Sequence, residues 1–434
     1  MSLTEPDIEA APWESQAAAD ESTYRRQIAY LFERSRFYRD KLTRAGFASV
    51  ESVGGLADVA RLPFTEKDEL RASRNANEPI GTHCTATRDE IVRIYSTSGT
   101  TGTPSYIPLT AGDLDVWVRT SARSYGASGV KRGDRIVSTY NSGPFVAGAA
   151  LDAFARLGLC HIPVGTGNTD RLIAAVERLK PDVVALTPSY ALHLAEWAEM
   201  RGVDLANSSV ERLMVAGEPG GGEPAMRAKL EAAWGASVTE AMGIGDISPS
   251  LWGECEAKAG MHFSGRGFVH FELIDPDSGA AISLADGAEG ELVLTHLVNR
   301  AAPLLRFRTR DHVRLGLGRC ACGRTAPRVR CIGRTDDMLI VRGVNLFPTA
   351  LREIVNEFAP ATTGVVMIEP RSAGVRQDPP LPVKVEAADP SQSDLAERIR
   401  ARVRATLLVT AAIELVAAGS LPRSEYKSKL VDRP

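Results

Sequence analysis

Between residues 135 and 216 the chain alternates short strand-like runs with amphipathic helical ones, and no other feature constrains its fold as tightly. The strand-like runs are Arg135-Ile-Val-Ser-Thr139, Cys160-His-Ile-Pro163, Asp182-Val-Val-Ala-Leu186 and Arg212-Leu-Met-Val-Ala216. Residues 146–157, 170–179 and 190–200, which lie between them, repeat apolar side chains at helical spacing. Strands separated by a helix return in the same direction, so the alternation predicts an α/β fold of layered, mostly parallel strands.

The flanks follow other patterns. Residues 1–20 are polar and Ala-rich and read as a loose tail, and residues 24–45 read as one helix. Leu62-Pro63-Phe64-Thr65 leads into another helix, with Thr65 as N-cap and Asp68 three residues on. Residues 255–332 hold short strands and turns such as Asp275-Pro-Asp-Ser-Gly279, which predicts a β-rich, antiparallel or barrel-like subdomain. After a boundary near Gly333–Asp337 come a strand at 338–341, a helix at 348–358, a strand at 364–368 and a helix at 393–408, a small α+β pattern. A chain of 434 residues exceeds one ordinary core. The expected division is a large domain over 21–335, carrying the β-rich part, and a small mobile domain over 336–434.

Bulk properties exclude several functions. A net charge of −3 argues against a nucleic-acid partner. No apolar run approaches the roughly 20 residues of a membrane span, and the acidic N-terminus is unlike a signal peptide. A cytoplasmic protein with no membrane partner is expected, and there six cysteines read as thiols or metal ligands. No G-x-S-x-G is present, so no hydrolase elbow is expected.

Thr97, Ser98, Gly99, Thr100, Thr101, Gly102, Thr103 and Pro104 form a loop of hydroxyls and glycines after the β-prone segment 91–94. Hydroxyls and backbone N–H groups are donors for phosphate, and glycine lets the backbone come close to a ligand. Neither G-x-x-x-x-G-K-[ST] nor G-x-G-x-x-G is present, and Ser/Thr/Gly clusters are often plain surface loops. The word order resembles the phosphate loop of the adenylate-forming superfamily: acyl-CoA synthetases, luciferases and peptide-synthetase adenylation domains. Those enzymes usually have Lys after the Pro, where this chain has Ser105.

The resemblance is closest to the phenylacetate–CoA ligase branch and runs through Arg36-Phe37-Tyr38, Leu62–Thr65, Thr187-Pro-Ser-Tyr190, Glu254-Cys-Glu-Ala-Lys-Ala-Gly260, Arg306-Phe-Arg-Thr-Arg-Asp311, Cys320-Ala-Cys-Gly-Arg324 and 333–348. It implies an ATP-dependent ligase that converts an aromatic acid to acyl-AMP and then to aryl-CoA. The expected substrates are ATP, CoA and a phenylacetate-, benzoate- or anthranilate-like acid, with Mg²⁺ as cofactor. By resemblance, Ala216, Gly217, Glu218 and Pro219 lie against adenine, as do Met242 and Gly243. Met242 stands where an aromatic is usual, and Asp246, the implied Mg²⁺ ligand, where Glu is usual. Asp311 would hold the ribose and Arg334 the ribose and phosphate. Lys427 is the implied catalytic lysine, Lys429 its neighbour and rival; Tyr426 replaces a glycine beside it. Asp336 is the implied hinge, with Asp337 as alternative. Tyr140, Phe145 and Gly217 are candidate walls of the acyl pocket, though both aromatics also suit an ordinary core.

Two alternatives share these words. One loads the acid onto the pantetheine of a carrier protein; the other is a non-catalytic nucleotide sensor, favoured by the changes at Met242, Asp246 and Tyr426.

Cys320-x-Cys322 is too tight a ring for a good disulfide. With Cys255 and His262 it makes a Cys₃His set suited to structural zinc. Cys331 and His312 are possible substitutes, and three unrelated thiols with a surface histidine are the bland alternative. Cys84 and Cys160 read as buried apolar residues.

Overall fold

A computed structural model describes residues 3–96, 105–140, 146–165, 167–342, 344–423 and 429–434. The chain forms two compact units, one of residues 1–165, 239–309 and 314–330, the other of 166–238, 310–313 and 331–434.

The alternation fold is as expected. In the first unit Arg135–Ser138 and Cys160–Pro163 pair in parallel, and Ala150–Arg156 crosses between them. In the second, Val183–Leu186 pairs in parallel with Arg212–Ala216 across the helix Pro188–Met200. All four residues of Val183–Leu186 are buried, which is why that strand reads as an unbroken apolar run. The β-rich part is antiparallel as predicted. Val269–Ile274 lies between Ala281–Ile282 and Glu289–His296, while Ser248–Glu254 pairs with Met261–Phe263. The C-terminal pattern also forms. Thr362–Ile368 runs antiparallel to Leu381–Ala387, which pairs in parallel with Ala411–Ala417 through the crossover helix Ser393–Leu407.

Four local expectations are corrected. Residues 1–20 are not loose, because a helix at Pro6–Glu9 and the start of another, Glu14–Arg34, occupy much of them. The helix expected over 24–45 is two, Glu14–Arg34 and Arg36–Arg44, broken at Ser35, whose extended backbone lets its hydroxyl accept from Tyr38 N–H at 3.2 Å. Tyr24, Ile28, Leu31, Tyr38 and Leu42 then bury together against Leu297 and Leu305. Each aliphatic in that cluster is worth about 1.5–3 kcal/mol. Thr65 is no N-cap. The helix Lys67–Ala72 starts one residue later on Glu66, and the buried Thr65 hydroxyl donates to Leu305 O at 2.6 Å. Cys160 is exposed and Cys84 half-buried, because Cys160 opens a strand at the edge of its sheet. Among the described residues no helix is long and apolar enough to cross a membrane.

Candidate active site

In the first unit the candidate nucleotide residues sit on a β-hairpin. Ser237–Ile244 turns through Gly245–Ile247 into Ser248–Glu254, with Met242 opposite Trp252. Gly243 is a steric requirement here. A Cβ at that position would lie 1.9 Å from Pro249 O and 3.0 Å from Ser248 O, and both are backbone atoms that cannot swing aside. Met242 remains half-buried beside it.

Asp246 occupies the turn with its side chain 9% exposed, and its carboxylate accepts from Lys67 Nζ at 2.8 Å. That is its one hydrogen bond among the described residues, so a second carboxylate oxygen is available to a hard cation. His83 and His296 lie buried within electrostatic reach of the same carboxylate. Burial holds both imidazoles neutral, with pKa values pushed down to about 4. His296 Nδ1 accepts from Leu304 N at 3.1 Å, which requires that neutral form. Sequence reasoning missed Lys67. Its signal was its place two residues after Thr65, just beyond the Leu62–Thr65 word.

The strand Ile91–Ser96 pairs antiparallel with Tyr106–Thr110, so Ser96 and Tyr106 face each other across the base of the 97–104 loop. Ser105 is buried. Thr97, Ser98, Gly99, Thr100, Thr101 and Gly102 themselves lie outside the described residues, as do Phe145, Tyr426 and Lys427. Tyr140 stacks on the fully buried Phe154 with ring centres 6.3 Å apart.

The second unit holds the other candidates. Gly217 adopts φ +97° in the turn after Arg212–Ala216, a conformation that favours glycine. Glu218 Oε1 accepts from Ser189 N at 2.8 Å, tying that turn to the start of the helix Pro188–Met200. Pro219 O accepts from Arg352 Nη2 at 2.7 Å. Asp311 meets Arg334 at 3.3 Å, and the same guanidinium grips both oxygens of Asp336 at 3.0 and 2.7 Å. Arg334 and Asp336 are 41% and 51% exposed, so their pair contributes at most about 1 kcal/mol and releases easily. Four positions before Lys427 in the sequence, Arg423 clamps Glu386 at 2.7 and 2.8 Å. Lys429 forms an exposed pair with Asp432 at 2.7 Å.

The cysteine set converges. Ligand atoms of Cys255, His262, Cys320 and Cys322 all lie within 4.8 Å of one another, and all four residues are buried. His262 Nε2 is 3.5 Å from Cys322 Sγ, while Nδ1 lies 3.4 Å from Ala326 O, which directs Nε2 inward. The bond from Cys255, with His262 and Arg324 adding to it, holds the Cys322 thiol far below its ordinary range. The same bond, then burial, pushes Cys255 up. The proposed substitutes stand elsewhere: His312 packs on Phe347 and Cys331 points to Gly333 O.

Residues 28–296 match the family model described as AMP-binding enzyme, and residues 343–433 match the AMP-binding enzyme C-terminal domain. The phenylacetate-coenzyme A ligase of Thermus thermophilus is 35% identical across 98% of this chain and 97% of its own length. That of Escherichia coli K12 is 31% identical across 97% and 95%. The crystal structure of a 2-hydroxyisobutyryl-CoA ligase, captured in the postadenylation state with its acyl-AMP, superposes with a TM-score of 0.90 at 27% identity, covering 99% of this chain and 92% of that one. An anthranilate CoA ligase shares the fold at a TM-score of 0.55 and 20% identity, over 79% of this chain and 65% of that one. The chain belongs to the AMP-binding, adenylate-forming enzyme family, in its phenylacetate–CoA ligase branch.

Proposed function

We propose that this protein is an AMP-forming aryl-acid–CoA ligase. A carboxylate attacks the α-phosphorus of ATP, pyrophosphate leaves with the bond electrons, and an acyl-AMP remains. The CoA thiolate then attacks the acyl carbon, and AMP leaves to give the aryl thioester. The observation that carries the reading is the glycine-constrained hairpin bearing Asp246, in a chain alignable with phenylacetate-coenzyme A ligases over nearly its whole length.

Each residue's part follows from its chemistry. The hydroxyls and amides of 97–102 grip the leaving pyrophosphate. Asp246, a buried hard-oxygen donor with an open oxygen, fits Mg²⁺, which when bound offsets phosphate charge. Lys67, already at that carboxylate, supplies the positive charge that Ser105 does not. By the resemblance Met242 packs on adenine, the Ala216–Pro219 turn is assigned to the same base, and Asp311 with Arg334 takes the ribose and α-phosphate. Lys427 bridges the acid and the α-phosphate during adenylation. Residues 336–434 turn about Asp336 between half-reactions, aided by the weak Arg334–Asp336 pair. Tyr140 and Phe145 line the acyl pocket. Three soft sulfurs and one imidazole fit zinc, and with all four positions filled by protein its role is structural.

Pyrophosphate release measured over a panel of aryl acids, with and without CoA, tests the reading. Release with an arylacetate or benzoate, and thioester only when CoA is present, is expected. Release without thioester would move the acceptor to a carrier-bound pantetheine, and no release with any acid would refute ligase activity.

A further inference from the structure

The residues beside the four metal-site ligands reach the N-terminus. The centre of that connection is Glu9. Its Oε2 accepts from Thr4 N at 2.6 Å and Glu5 N at 2.8 Å, and its Oε1 accepts from Arg324 Nε at 2.8 Å. Both side chains of that ion pair are under one-tenth exposed. Arg324 also hydrogen-bonds Cys322, so one guanidinium joins a ligand sulfur to an N-terminal carboxylate. Next to it, Thr325 N donates to Glu9 O at 3.2 Å and the Thr325 hydroxyl donates to Ala11 O. Arg266 donates to Ala11 O at 2.9 Å and to Pro12 O at 3.1 Å. Arg266 and Thr325 both stand within four positions of a metal-site ligand.

Residues 317–327 contain no helix or strand, so no ladder fixes the turn that presents Arg324 and Thr325. A tetrahedral metal on Cys320 and Cys322, anchored by Cys255 and His262, would fix it. We infer that the site is the lock of an N-terminal clamp: zinc on Cys255, His262, Cys320 and Cys322 sets the 320–326 turn, and Arg324 and Thr325 then hold residues 4–12. The inference rests on the zinc reading above but makes a separate claim. The same segment reaches on through Glu5 to Arg119 and Arg123 of the helix Ala111–Ala127, so loss of zinc would also loosen that contact.

Hydrogen–deuterium exchange with parallel metal analysis tests it. Three samples are compared: zinc-loaded wild type, chelator-stripped wild type, and Arg324→Gln, which keeps all four ligands. The expected result is one zinc per chain in the wild type and in Arg324→Gln. Amides of residues 4–10 should exchange at least tenfold faster in the stripped protein and in Arg324→Gln, while those of Val183–Leu186 keep their protection. Wild type that takes up no zinc overturns the zinc reading and the clamp with it. One zinc per chain with unchanged exchange at 4–10 in Arg324→Gln overturns the clamp alone. If stripping exposes Val183–Leu186 as well, the chain has unfolded and the Arg324→Gln result decides.

Discussion

Replacing Lys67 by Met removes the one cation that, among the described residues, bonds the Asp246 carboxylate, which is nine-tenths buried. The pair at 2.8 Å is intermediate in kind, since Lys67 is 32% exposed and Asp246 9%. An exposed pair is worth up to about 1 kcal/mol, and breaking a buried one costs about 3–5 kcal/mol. A stability loss of about 1–2 kcal/mol follows for Lys67→Met. The effect on chemistry should be larger. If Lys67 turns from Asp246 to phosphate when nucleotide binds, its loss removes one charged donor from the transition state, about 10²-fold or roughly 2.7 kcal/mol. Acid-dependent ATP–pyrophosphate exchange measures that loss, and urea unfolding measures the stability term separately. A double-mutant cycle with Asp246→Asn should give a coupling energy of about 1–2 kcal/mol in stability. Exchange within twofold of wild type in Lys67→Met, alongside loss of exchange in Asp246→Asn, would refute the assignment of Lys67.

Three further outcomes are expected. Gly243→Ala puts a methyl 1.9 Å from Pro249 O, so it should lower stability by about 1–3 kcal/mol and raise the KM for ATP; unfolding curves and ATP titrations check both. His83 and His296 are neutral in the fold with pKa values about 4, against 6.5 when unfolded. The unfolded chain therefore binds more protons between those limits. The stability these groups contribute is complete above pH 6.5 and is lost as pH falls towards 4, at most roughly 3 kcal/mol each; the urea midpoint should fall over that window, and less steeply in a His83→Gln/His296→Gln double variant. Lys427→Ala should abolish pyrophosphate exchange with little change in thermal midpoint, whereas Lys429→Ala, which breaks only an exposed pair, should change neither.

Much of the architecture was legible because its signals are local. Cys160–Pro163 and Arg212–Ala216 have the limits their apolar runs suggested, and Thr169–Leu179 and Pro188–Met200 begin within two residues of the expected starts. The errors fall where a local preference met a long-range partner. Thr65 suits a cap, but Tyr38 and Leu305 take its hydroxyl into the core. Residues 1–20 look loose because their polar composition hides what meets them: Arg119, Arg123, Arg266 and Arg324 come from 100 to 320 residues away.

The candidate site divides along the same line. Motif order in the sequence determined the family, and it singled out Asp246 and the Cys255, His262, Cys320 and Cys322 set as candidates, because residue type and word order are written in the chain itself. Tertiary structure alone decided that Lys67 faces Asp246, that Asp311 meets Arg334, and that Cys255 and His262 close on a pair 58 to 67 residues downstream. Whether a charge finds a partner, and how far burial shifts a titration, depends on neighbours brought together by packing, and no local pattern in the chain records them.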